Sequence, residues 1–321
     1  MRNQIRRGCI ILQVYRLRMT FFHNACGSPG EAHSISKTRM NFIAPLHMTN
    51  SITNIAGYQF KAVADVSTVH MQVQALCAQT HLKGTVFVSP EGINLSLAGS
   101  ATDVDYALSQ LGTVCGFDRL LLSATHSDTI PFKRLLVKTR RRLVPDPEPA
   151  GPARDQGSVD PSYITSDELR RWLSAGREIT LLDLRNSFEY ELGTFDHATH
   201  LGLRHFRELK STTPKLARLA KEKPVVTFCT GGIRCEKGAP YIASLGFREI
   251  YQLKGGVLDY LKKFKGEHWH GDCFVFDERV SLDCMLRPTF TKLCRICQTV
   301  LQADGTQLCT SCSQPEAAGQ T

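Results

Sequence analysis

Residues 225–238, Val-Val-Thr-Phe-Cys-Thr-Gly-Gly-Ile-Arg-Cys-Glu-Lys-Gly, restrict the fold more than any other stretch of this chain. The β-favouring run Val225–Phe228 predicts a buried strand. Gly231 and Gly232 then allow backbone conformations that a side chain would forbid. Residues 235–245 continue at helical spacing, and Gly246 ends the helix. A strand that passes through a tight loop into a helix sets Cys229 at the mouth of a cup of backbone N–H groups. The thiol also stands beside a helix N-terminus and five residues before Arg234. Each feature favours an anion, so a partly ionised, nucleophilic thiol is expected near neutral pH. A lone cysteine at a strand end is ordinarily a small buried hydrophobe. Here the glycine pair and the arginine at fixed spacing favour a reactive group instead.

A chain of 321 residues has room for two or three domains with their own cores. Its 42% hydrophobic content is ordinary, and no apolar run is long enough to span a bilayer. The net charge of +9 suits a polyanionic partner without identifying one. Much of the excess lies in residues 1–50, where Arg2, Arg6, Arg7, Arg16, Arg18, Lys37 and Arg39 face only Glu31. This basic extension reads as a disordered tail or as the product of a start codon placed too far upstream, with a transit-like segment as the other option.

Between residues 51 and 146 the elements alternate. Strands are expected at 57–64, 84–88, 93–98, 119–123 and 134–137, and helices at 67–80 and 101–111, the latter capped by Ser100 or Thr102. The order β-α-β-β-α-β is that of a ferredoxin-like α+β sandwich. Its exit carries Lys133, Arg134, Lys138, Arg140, Arg141 and Arg142 with no acid between them. Such a run fits a solvated strand edge, and equally a surface that tracks a phosphate backbone. Phe132 could add stacking, or belong to the core.

Residues 147–160 continue a Pro-rich linker that begins at Pro145. A second domain, 161–268, opens with Thr165-Ser166-Asp167-Glu168 as a capping box. Strands at 180–184, 225–228 and 249–253 alternate with helices, which predicts a parallel α/β sheet with the Cys229 loop at a strand's carboxyl end. Residues 269–321 form a C-terminal extension. In it Cys294-Arg295-Ile296-Cys297 and Cys309-Thr310-Ser311-Cys312 have the spacing of a tetrahedral structural zinc site. Four unligated surface thiols are the alternative. Cys77, Cys115, Cys273 and Cys284 read as buried, as do Trp172 and Trp269. Twelve scattered cysteines do not resemble a disulfide framework and point to a reducing, cytoplasmic setting.

Asp183-Leu184-Arg185, the loop 229–234 and Leu253-Lys254-Gly255-Gly256 together resemble a rhodanese domain. The chain is more similar still to the rhodanese-containing tRNA uridine hydroxylases, which modify the wobble uridine. It carries that family's Cys-Thr-Gly-Gly-Ile-Arg-Cys-Glu-Lys at 229–237, Cys-Phe-Val-Phe-Asp-x-Arg-Val at 273–280, and Glu-Gly-Ile-Asn at 91–94. Pro90 replaces a usual Glu, and Gly193-Thr194-Phe195 stands for Gly-His-Phe. The resemblance implies oxygen-dependent hydroxylation of C5 of the wobble uridine, at position 34, to 5-hydroxyuridine. Cys229 would be essential, molecular oxygen the co-substrate, and the anticodon stem-loop of tRNA the partner. No flavin, haem or nucleotide motif accompanies these residues.

Three chemistries compete for Cys229. A phosphatase loop needs five residues between Cys and Arg, and here four intervene, which makes a cup tight for phosphate. A sulfurtransferase would carry a persulfide on Cys229, stabilised by the N–H groups of Thr230, Gly231, Gly232, Ile233 and Arg234. In a hydroxylase the thiolate would add to the pyrimidine or act through an oxidised or persulfidic sulfur. Arg234 would fix the loop or the incoming anion. Cys235 could resolve an oxidised Cys229 or face the helix interior. Asp183 and Arg185 would buttress the loop or form an ion pair of purely structural value. A tRNA-binding scaffold without chemistry is the non-enzymatic alternative.

Overall fold

The computed structural model describes residues 51–145, 161–289, 291, 292, 294 and 301. The basic extension, residues 146–160 of the linker and most of the C-terminal module lie outside the described residues.

The N-terminal sheet is built from β1 (Ile52–Phe60), β2 (Lys83–Ser89), β3 (Gly92–Gly99), β4 (Leu121–Ser127) and β5 (Leu135–Thr139), with helices α1 (Val66–Ala78) and α2 (Ala101–Thr113) between them. Strand order is β4-β1-β3-β2-β5. The first four strands are antiparallel, as the ferredoxin-like expectation requires, and β5 adds a parallel edge beside β2. Alternation decides which face is which. Ile93, Leu95 and Leu97 turn inward to meet Val73, Leu76, Val104 and Leu111 of the two helices. Asn94 and Ser96 turn the other way. Asp65 and Ser100 cap the helices through the N–H groups of Thr68 and Asp103, each at 3.0 Å. Strand β1 starts five residues before the expected 57 and ends at Phe60. Its early half pairs on both sides, Thr53 with Gly99 and with His126, and this ladder outweighs the weak apolar signal there.

The second sheet is parallel throughout. It comprises β6 (Ser162–Ile164), β7 (Thr180–Asp183), β9 (Thr199–His200), β10 (Val225–Phe228) and β11 (Ile250–Leu253) in the order β6-β11-β10-β7-β9. Helices α3 (Ser166–Ser174), α4 (Ser187–Leu192), α5 (Thr213–Leu216), α6 (Cys235–Ala243) and α7 (Gly256–Phe264) and a 3-10 helix, Phe206–Thr212, connect the strands. The central strand β10 is covered on both faces, which is why its sequence is apolar without alternation. Val225 packs with Ile242 and Phe247 on one side, and Val226 with Val257 and Leu261 on the other.

Short pairs complete the structure. β8 (Gly193–Phe195) pairs with β12 (Trp269–Gly271), and β13 (Cys273–Phe274) with β14 (Ser281–Leu282). Trp269 is buried, but Trp172 is only half-buried, its ring covered by the Arg177 guanidinium at 3.8 Å. Cys77 and Cys273 are buried, whereas Cys115 and Cys284 are only partly so. Among the described residues no helix is long and apolar enough to cross a membrane.

Candidate active site

The loop after β10 wraps around the sulfur of Cys229. The Gly232 N–H donates to Sγ at 3.1 Å. Gly232 has φ +99°, and a Cβ there would come within 2.9 Å of the Tyr58 hydroxyl. Gly231 departs from the sequence reading. Its φ is unstrained, and a Cβ would meet nothing within 4 Å, so this glycine keeps space open and does not relieve strain. The start of α7 clamps the loop from behind. Val257 and Leu258 donate their N–H groups to the carbonyls of Cys229 and Thr230 at 3.0 and 3.1 Å. A side chain on Gly256 would lie 2.4 Å from the Cys229 carbonyl oxygen, which explains that glycine; at Gly255, with φ +74°, a Cβ would crowd Asp259 at 2.7 Å.

Arg234 fixes the loop. Its guanidinium donates twice to the buried Glu189, at 2.6 and 2.8 Å. Glu189 also accepts from the Asn186 N–H at 3.0 Å and the Thr230 hydroxyl at 3.3 Å. Glu189, which anchors the loop through Arg234 and Thr230, is the residue of this site absent from the sequence expectations. The Asn186-x-x-Glu189 spacing at the head of α4 is the signal that could have found it. Asp183 and Arg185 form a second, fully buried pair. Arg185 also donates to the Gly193 carbonyl at 2.6 Å, and the Thr194 hydroxyl to Asp183 at 2.9 Å. The Thr at 194 thus still holds the end of β7.

Burial pushes the Cys229 thiol up. The Cys235 thiol, the Arg234 guanidinium and the N–H groups of Arg234 and Gly232 outweigh it and bring the pKa down to about 6. Cys235 is buried, and its own proton is held well above the ordinary thiol value by burial and by hydrogen bonding to Cys229. It therefore faces Cys229 as a neutral donor while sitting inside the core. Burial, and then the carboxylate of Glu236, raise Tyr58.

Cys229 lies deeper than the cup's mouth, where the sequence put it. It is 0% exposed, because the polar face of the N-terminal sheet roofs the loop. Between roof and loop lies a cavity of about 660 Å³, walled by Cys229, Gly231 and Ile233 on one side and by Tyr58, Asn94 and Ser96 on the other. The roof is stitched down at several points. Tyr58 of the roof donates to Glu236 at 2.9 Å, and Glu236 also accepts from Tyr163 of β6 at 2.7 Å. Lys237 meets Glu91 at 2.6 Å, and Arg279, itself paired to Asp277, donates to the Thr125 hydroxyl at 2.8 Å.

The cations of the exit strand are all exposed, but they divide. Arg140 stacks on Phe87, 3.4 Å from the ring centroid, at the cavity wall. Lys133 and Arg134 line a neighbouring hollow, whereas Lys138, Arg141 and Arg142 line neither. The run has no acid in sequence, yet Glu278 comes within 3.8 Å of Lys133 in space. Arg207, exposed and unremarked in the sequence, lines the cavity from the opposite side. Of the expected zinc ligands, Cys297, Cys309 and Cys312 lie outside the described residues, and Cys294 is buried.

Residues 52–143 match the family model of a UPF0176 acylphosphatase-like domain, and residues 165–263 that of a rhodanese-like domain. A tRNA uridine(34) hydroxylase of Cupriavidus pinatubonensis is 37% identical over 261 residues, covering 80% of this chain and 92% of its own. A tRNA uridine(34) hydroxylase of Bordetella parapertussis is 40% identical over 238 residues, covering 74% of this chain and 98% of its own.

Proposed function

This chain belongs to the tRNA uridine(34) hydroxylase family, and we propose that Cys229 is the group with which it acts on the wobble uridine. It is a tRNA-modifying enzyme. The reaction is hydroxylation at C5 of the base, with molecular oxygen as co-substrate and the anticodon stem-loop as the bound part of the tRNA. One observation carries the assignment: the Cys229 sulfur accepts the Gly232 N–H in the wall of a cavity roofed by polar side chains, where the Arg234 charge and the loop N–H groups favour its anion.

The chemistry follows from that thiolate. Its electron pair forms a bond to C6 of the pyrimidine, and the C5–C6 π electrons move toward C5 and the C4 carbonyl. C5 becomes electron-rich and takes up the oxygen. Loss of the C5 proton and expulsion of the thiolate restore the ring. In balance, the C5–H bond is exchanged for C5–OH: one atom of dioxygen ends in the hydroxyl, and the other leaves as water with two electrons and two protons from a dithiol reductant that becomes a disulfide. The loop N–H groups that stabilise sulfur as an anion also make it a good leaving group. The Glu189–Arg234 pair keeps the loop in place and leaves Arg234 little freedom to meet substrate. Cations on both sides of the cavity, Arg140 and Arg207, suit the phosphates of a single-stranded loop. Cys294, Cys297, Cys309 and Cys312 remain a proposed structural zinc site.

The rhodanese-like domain match favours one second reading, persulfide sulfur transfer through the same cysteine. Nucleoside mass spectrometry of tRNA from cells lacking the gene, complemented with wild type or Cys229→Ser, separates the readings. The expected result is loss of 5-hydroxyuridine and its derivatives with the Ser variant. Loss of a thiolated nucleoside with oxygenated ones intact would favour the sulfurtransferase. Full complementation by the variant would leave a scaffold.

A further inference from the structure

A second hollow, about 470 Å³ and open to solvent, adjoins the cavity at Cys229. The two share a wall that includes Phe132 and Phe276. Phe276 is 62% exposed, which is unusual for a large ring beside a buried site. It is nevertheless held in position. Its ring meets Phe274 edge-on at 4.9 Å and 90°, and Phe274 meets Phe188 at 4.9 Å and 86°. The Arg234 guanidinium lies 5.8 Å from its centroid. An aromatic face held at the lip of a cavity, with Lys133 and Arg134 in the same hollow, matches what an unstacked nucleotide needs: a surface for the base and cations for the phosphate. Of the nearby carboxylates, Asp277 is paired with Arg279, whereas Glu278, 3.8 Å from Lys133, offsets part of that lysine's charge and leaves Arg134 as the stronger cation of the hollow.

We propose that the second hollow is a nucleotide subsite: the base next to the reacting uridine stacks on Phe276, while its phosphate lies beside Lys133 and Arg134. The inference rests on the proposed function. With the base neighbouring the target held on one side of the Phe132–Phe276 wall, the target itself is drawn out of the loop's stack and directed into the inner cavity.

The test is a binding cycle with the full chain and a fluorescently labelled anticodon stem-loop RNA, intact or abasic at either nucleotide flanking position 34. Phe276→Ala should weaken binding of the intact RNA at least about fivefold, the low end expected for loss of one base–aromatic stack. Phe276→Tyr should keep wild-type affinity. An abasic site at one flanking position should remove the difference between wild type and Phe276→Ala. An unchanged melting temperature and an unchanged urea unfolding midpoint exclude a folding defect as the cause. Equal affinity of the Ala variant for intact RNA, or an equal loss whichever base is missing, overturns the subsite while leaving the function standing. No binding of the intact RNA by wild type overturns both.

Discussion

At the scale of single residues, the site depends on one buried ion pair. Glu189 is 0% exposed and Arg234 8%. Removing one charge of such a pair leaves the other in a low-dielectric interior, at a cost of about 3–5 kcal/mol. Glu189→Gln should therefore lower unfolding stability by about 3 kcal/mol in urea titrations, while Glu191→Gln in the same helix should change it by less than about 0.5 kcal/mol. Equal effects would mean that the pair does not anchor the loop. Cys229, Gly232 and Arg234 were legible in the sequence because their relation is local and their spacing is itself the geometry. The Asn186-x-x-Glu189 spacing marks Glu189 as a cap, but its pairing with Arg234 was not legible, because that partner lies 45 positions away and only the fold brings them together.

At the scale of elements, the loop lies between the end of β10 and the start of α7. The glycine that touches its backbone differs from the one that faces the cavity. Gly256→Ala must push the loop aside, since its Cβ would lie 2.4 Å from the Cys229 oxygen and 2.6 Å from that of Thr230. Gly231→Ala meets nothing. Both variants should lose hydroxylation, for different reasons. Gly256→Ala should also lose at least about 1 kcal/mol of stability, whereas Gly231→Ala should fold as wild type and obstruct only the cavity. Thermal melts with parallel nucleoside analysis check this, and a stable, active Gly256→Ala would contradict the clamp. Periodicity revealed the buried strand β10 and the two faces of the N-terminal sheet. It could not reveal what the polar face looks onto. Alternation distinguishes apolar from polar sides, and water and a polar cavity select the same residues.

At the scale of the whole molecule, the Cys229 loop and the N-terminal sheet wall one cavity. Tyr58, Glu91 and Thr125 of the sheet meet Glu236, Lys237 and Arg279 beyond the linker. The motif at 273–280 is explained by this role. Arg279 ties the C-terminal extension to the roof, and the Glu278 N–H donates to the Pro131 carbonyl at 3.1 Å. The order of elements could be read from the chain, but these contacts span up to 178 positions and depend on how the two sheets dock. The same docking covers the sulfur, so a reagent or substrate reaches it only through the cavity.

The most direct measurement is the rate of Cys229 alkylation by iodoacetamide against pH, followed by peptide mass spectrometry with and without an anticodon stem-loop RNA. A thiol whose pKa is lowered to about 6 is ionised above that pH and loses its reactivity as pH falls through it. The rate should therefore be half-maximal near pH 6, level at neutral pH, and slowed by the RNA. A midpoint near the ordinary thiol value of about 8.5, or a rate indifferent to RNA, would contradict an ionised cysteine at the base of an RNA-binding cavity.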